Sequence, residues 1–98
     1  MLKVGFIGRS EWMYFTIKYL IKKGVKITFI LTSKEAPEYK FTVEDFRLIA
    51  AKNNIPFVNT SKINTKDIIK FFNKNKADIV LSVNYTGIIS QKIINLFP

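Results

Sequence analysis

Two short stretches of this 98-residue chain combine side chains and backbone in ways that could hold a ligand. The first is Gly8-Arg9-Ser10. A glycine lets the main chain come close to a ligand, and a helix starting behind it would turn free N–H groups toward an anion. Arg9 adds a planar fork that suits phosphate or carboxylate. The second stretch runs from Ser82 to Ser90. There Asn84 offers donors and acceptors, Tyr85 an aromatic face, and Gly87 permits backbone conformations that expose N–H and C=O groups to a flat heterocycle. Both stretches also read as plain strand-to-helix connections, the first a tight turn with an exposed arginine. Gly5-Phe6-Ile7-Gly8 lacks the G-x-G-x-x-G order and is not a dinucleotide fingerprint.

The absent residue types exclude more chemistry than the present ones suggest. The chain has no histidine and no cysteine. Acid–base catalysis near neutral pH most often uses histidine, and nucleophilic catalysis usually pairs serine or cysteine with it, so neither arrangement can be assembled. The seven carboxylates are scattered without ligand-like spacing, and no metal is expected. Without cysteine there are no disulfides, and a cytoplasmic location is the expectation. Lysines interrupt every apolar run, so none reaches the roughly 20 residues of a membrane span. Met1 to Gly8 is too short in its apolar part for a signal peptide and reads as a strand.

The net charge of +9 could attract phosphates or nucleic acid through its long-range field. Fourteen of the sixteen cations are lysines, placed singly or in pairs such as Lys22-Lys23 at helix ends. They read as a solvated surface, and neither a nucleic-acid nor a membrane partner is expected.

The elements that must position the two loops follow from hydrophobic patterning. Residues 2 to 7 form a short buried run of the parallel-sheet type. Ser10 is placed to cap a helix from Glu11 to Lys23, with Glu11 near the positive end of its dipole and Gly24 closing it. Met13, Ile17, Leu20 and Ile21 give that helix its buried stripe, while Trp12, Phe15 and Tyr19 widen the apolar arc beyond one face. Val25 to Thr32 is a second buried strand, followed by a loop from Ser33 to Phe41. Thr42-Val43-Glu44-Asp45 resembles a helix-start box, Val43, Phe46, Ile49 and Ala50 form a stripe, and Asn53-Asn54 ends that helix. Ile55 to Val58 is a short strand whose proline suits a sheet edge. Asn64 or Thr65 starts a third helix carrying Ile68, Ile69 and Phe72. Ala77 to Val83 is a fourth strand of the continuously apolar type that parallel sheets bury, and Ser90 caps a last turn or short helix with Ile93, Ile94, Leu96 and Phe97.

The alternation β-α-β-α-β-α-β-α implies a doubly wound, Rossmann-like α/β fold, a parallel sheet of order 3-2-1-4 with helices on both faces, in one domain. Ligands in such sheets gather at the carboxyl ends of the strands where strand order reverses, here between the first and fourth strands. The Gly8 and Asn84 loops meet there. High apolar content in so small a body, and a last segment that is still adding core residues, lead to the expectation that the chain is part of a larger domain.

Lys3-Val4-Gly5-Phe6-Ile7-Gly8-Arg9-Ser10, then Ala77-Asp78-Ile79-Val80-Leu81-Ser82-Val83-Asn84-Tyr85 with Ile88-Ile89-Ser90 and Ile93-Ile94-Asn95-Leu96-Phe97-Pro98, resemble the start of the folate-dependent formyltransferase family. The resemblance covers the whole chain and is strongest over 77 to 98. It implies that Tyr85, Thr86, Gly87, Ile88 and Ile89, with Asn84 adjacent, frame the pterin of 10-formyltetrahydrofolate, and that Gly8, Arg9 and Ser10 approach a phosphorylated or nucleotide-linked substrate. The family's catalytic Asn-x-His and Asp match no residue of this chain. The resemblance therefore implies an N-terminal portion, 1–98, that is inactive alone and has no catalytic residue of its own.

The segment Ser33 to Lys40 holds no arginine or glycine, unlike the basic, glycine-containing loop of tRNA-directed members. That points to a small-molecule acceptor, the amine of a nucleotide-linked amino sugar, with Trp12 and Tyr39 available to lie against its base or sugar, although a core position suits Trp12 better. The alternatives are a methionyl-tRNA formyltransferase-like protein and a non-catalytic basic module for phosphate or nucleic acid. Oligomeric state, monomer or homodimer, stays open.

Overall fold

The computed structural model describes residues 2–8, 11–32, 43–60 and 65–83. Seven elements alternate within them: β1 Lys3–Gly8, α1 Glu11–Lys22, β2 Lys26–Thr32, α2 Val43–Lys52, β3 Phe57–Asn59, α3 Lys66–Lys74 and β4 Ile79–Val83. Every pairing is parallel and the order is β3-β2-β1-β4. This is the Rossmann-like order expected from the alternation of patterns. The loop 33–42, the start of the third helix at Asn64 and the last turn from Ser90 lie outside the described residues.

Two cores lie on opposite faces of the sheet. Val4 and Phe6 of β1 with Ile27 and Ile30 of β2 meet Met13 and Ile17 of α1 and Phe46, Ile49 and Ala50 of α2. Ile7, Phe29 and Leu31 point the other way and meet Ile68 and Phe72 of α3. Burial of apolar area at roughly 25 cal/mol per Å² drives both packings. Ile27 and Ile30 share a face, which strict alternation forbids, because the β1–β2 register shifts between Val4 and Gly5. Thr28 takes up the extra residue as a bulge, and its buried hydroxyl donates to the Val4 carbonyl at 3.4 Å.

Gly5 has a packing role that its place in a loop-like motif conceals. A Cβ there would stand 2.2 Å from Cε2 of Phe29. The Phe29 ring fills the space beside Gly5 and packs against Phe72 at 5.1 Å and Phe71 at 5.8 Å between centroids.

The helix ends follow the sequence signals. Gly24, at φ 81, closes α1, with its N–H donating to Ile21 and that of Val25 to Leu20, each at 3.0 Å. Asn54, at φ 55, does the same for α2, with Ile55 N–H donating to Ala50 at 2.8 Å. Thr65 caps α3, accepting from the N–H of Ile68 at 3.3 Å.

Two expectations need correction. Trp12 is not in the core but 71 % exposed, and Phe15 and Tyr19 are exposed with it; α1 presents Met13 and Ile17 to the sheet, and this second stripe points away. β4 is not buried on both faces, because among the described residues it pairs with β1 alone: Ile79 is 43 % and Leu81 37 % exposed. They share a face with Val4 and Phe6 across the ladder, and α1 covers the latter pair only. At its start β4 is fastened to β1 by two bonds, Lys3 N–H to Asp78 Oδ2 at 2.9 Å and Asp78 N–H to the Lys3 carbonyl at 2.8 Å.

Candidate functional site

The carboxyl ends of the strands finish level. Gly8 pairs with Thr32 of β2 on one side and with Val83 of β4 on the other. The segments that leave the sheet at Arg9 and at Asn84 therefore start from neighbouring positions, on either side of the point where strand order reverses. Glu11 opens α1 three residues after Gly8, so the N-terminal turn of that helix lies at the same end of the sheet. In open α/β sheets, ligands are taken at this end, beside the point of reversal.

Gly8 is buried and its φ is 147, a region that residues with a side chain rarely occupy. The glycine is thus required by the backbone path out of β1, as a tight strand-to-helix turn demands. Of the residues expected to bind ligands, Gly8 stands where the sequence places it. Arg9 and Ser10, and Asn84, Tyr85, Thr86, Gly87, Ile88 and Ile89, lie outside the described residues.

Two polar residues at this edge carry no distinctive mark in the sequence. Thr32 is almost fully buried beside Gly8, and its hydroxyl donates to Oδ1 of Asn59 at 3.0 Å. The Thr60 N–H donates to the Thr32 carbonyl at 2.8 Å, so the ends of β2 and β3 are tied together. The available signal is a polar residue closing each of two apolar strands, which is as common in ordinary strand ends as in sites.

Charge is divided between the two edges of the sheet. Helices in parallel crossovers run against the strands, so their N-termini gather at the carboxyl edge. Glu11, Glu44, Asp45 and Asp67 occupy those first turns, and Lys22, Lys52 and Lys74 the last turns at the opposite edge. Glu44 is paired with Arg47 at 2.6 Å on the exposed side of α2. Among the described residues no three His, Cys, Asp or Glu side chains stand together as a metal site, and no helix is long and apolar enough to cross a membrane.

The fold defines the class: an open, Rossmann-like α/β sheet whose strand order reverses between β1 and β4. Within that class the chain is similar to methionyl-tRNA formyltransferases. That of Thermotoga maritima is 24 % identical over 98 residues, covering 97 % of this chain. Those of Clostridium tetani and Acetivibrio thermocellus are 28 % and 20 % identical, over 98 % and 99 % of it. The chain is thus a relative of formyltransferases along nearly all its length, and it spans about a third of the length of these curated relatives. No family model matches it. The relatives are named for methionyl-tRNA and not for the nucleotide-linked amino sugar expected from the Ser33–Lys40 loop.

Proposed function

We propose that residues 1–98 are the N-terminal, Rossmann-like portion of a cytoplasmic formyltransferase that uses 10-formyltetrahydrofolate as donor and the amine of methionyl-tRNA as acceptor. The observation that carries this reading is similarity to methionyl-tRNA formyltransferases over nearly every residue, on a sheet whose strand order reverses beside the paired ends Gly8 and Val83. In this reading Asn84, Tyr85, Thr86, Gly87, Ile88 and Ile89 frame the pterin. Gly8, Arg9 and Ser10 approach the acceptor, where the Arg9 guanidinium can fork onto a phosphate.

The amine nitrogen attacks the formyl carbon, the bond from that carbon to N10 of the folate breaks, and the proton lost by the amine is returned to N10. These residues contribute walls and orientation. The acid–base part of the step falls to groups outside them, since no histidine is available here.

A second reading keeps the nucleotide-linked amino sugar as acceptor, favoured by the absence of arginine and glycine from Ser33 to Lys40. Label transfer separates the two. The protein recovered at its native length from the cells that make it is given formyl-labelled 10-formyltetrahydrofolate with methionyl-tRNA or with a nucleotide-linked amino sugar. Label in methionyl-tRNA supports the first reading, label in the sugar alone replaces it by the second, and label in neither overturns both.

A further inference from the structure

The edge of the sheet opposite Gly8 and Val83 carries a feature that formyl transfer does not use. At the amino ends of the strands lies a hollow of about 640 Å³ whose lining includes Lys3, Lys26, Lys74 and Lys76, with the amides of Asn53 and Asn75 between them. Among the described residues, no acidic and no aromatic side chain lines it. Next to it, in the groove between α1 and α2, stand Lys18, Lys22 and Lys52. Seven ammonium groups thus share one side of the molecule.

The helix-dipole rule explains how they came together. A lysine-rich chain favours its cations in last helical turns, and the last turns of α1, α2 and α3 all point to this edge. The compensation is incomplete. With Lys76 left aside, three helix ends bring about −1.5 charges and Asp78 one more, against six lysines, which leaves a local excess of roughly +3 to +4.

We infer that this amino edge is a docking surface for the phosphate backbone of RNA. Lysines act as point charges toward successive phosphates without demanding a base, while the amides of Asn53 and Asn75 donate to the carbonyls of Ile49 and Phe71 and close the helix ends between them. No aromatic side chain lines the hollow, and Lys18 stands over the ring of Tyr14 in the adjacent groove at 5.7 Å, so phosphate contacts outweigh stacking and binding is independent of sequence and strongly dependent on salt. Protein interfaces are poor in lysine at their centre, whereas four lysines stand among the aliphatic side chains of Ile21, Val25, Ile27 and Ile55 here and no aromatic anchor lines the hollow, so an anionic backbone fits it better than a protein partner. The inference stands on the charge of this edge and holds whichever acceptor the carboxyl edge takes.

The test uses the whole chain and a labelled single-stranded RNA of about ten nucleotides unrelated to tRNA. Fluorescence anisotropy follows binding from about 20 to about 200 mM salt. Binding at low salt is expected, with a log–log salt slope of about −0.7 for each phosphate neutralised. Lys26→Gln/Lys74→Gln should weaken it about tenfold at low salt and flatten the slope by about 1.4. The charge-matched variant Lys66→Gln/Lys70→Gln, on α3 away from the hollow, should stay within about twofold of the parent.

Equal losses in the two variants would overturn the inference, since net charge alone would then account for binding. So would no binding at low salt. Two competitors at matched ionic strength decide the ligand: displacement of the RNA by millimolar inorganic phosphate would assign the hollow to free anions. Displacement by poly-glutamate as effectively as by unlabelled RNA would assign it to acidic protein.

Discussion

Gly5 and Gly24 answer to different physics, and one substitution tells them apart. At Gly5 the backbone would accept alanine, but a methyl group would drive into the Phe29 ring at 2.2 Å. That ring is clamped by Phe71 and Phe72, so relief requires α3 to shift. Gly5→Ala should cost about 2–3 kcal/mol, at the upper end of overpacking. At Gly24 nothing lies within 4 Å of the added methyl, and the cost of about 1 kcal/mol comes from holding φ at 81. Chemical denaturation of both variants checks the pair; a Gly5→Ala penalty no larger than that of Gly24→Ala would refute the packing account. Asn54 offers the converse, because it already holds a left-handed φ of 55 that glycine adopts freely. Asn54→Gly should raise the unfolding free energy by a few tenths to about 1 kcal/mol, read from the same denaturation curves.

At the scale of elements, the hydrophobic periods are enough to place all seven within about two residues and to order the strands. They succeed because each helix carries one stripe, as at Phe46, Ile49 and Ala50, and each has a start or stop signal where the chain turns. They fail where burial depends on a neighbour. An apolar run at Ile79 to Val83 reads the same whether the strand is central or at an edge, and only the sheet order reveals that one face of Ile79 and Leu81 is open. Trp12, Phe15 and Tyr19 mislead for a related reason: a wide apolar arc says how much surface asks for cover, not whether cover is present. Of the candidate site, Gly8 is legible because a glycine standing between a buried strand and a helix start marks a turn the backbone must make. Thr32 and Asn59 are not, since their bond spans 27 positions and belongs to the register of β2 and β3. Removing the Thr65 cap should show how far α3 depends on local signals. Thr65→Ala is expected to cost about 1 kcal/mol, and a loss within error would mean that Ile68 and Phe72 hold the helix without it.

For the molecule as a whole, the +9 charge sets the response to salt. Cations are concentrated on one edge, and the Arg47–Glu44 pair is an exposed contact worth a few tenths of a kcal/mol. Screening therefore removes more repulsion than attraction. The melting temperature should rise by several degrees between about 10 and 300 mM sodium chloride, where the Debye length falls from about 30 Å to under 8 Å. A melting temperature that fell over that range would mean that attractive pairs outweigh the lysine excess.

The fastening of Asp78 to Lys3 also sets a timetable. β1 is the first of the four strands to leave the ribosome, yet one of its two ladders is completed by residues 79 to 83 and closed by a bond spanning 75 positions. At roughly 5–20 residues per second, the nascent chain spends several seconds with the β4 side of its central strand unpaired. The pairing of β1 with β2 can form in that interval, whereas Phe29 gains its cover only after Phe71 and Phe72 have been made. Among the described strands, the contacts longest in sequence thus form last, and until they do, the β4 side of β1 is an exposed rim.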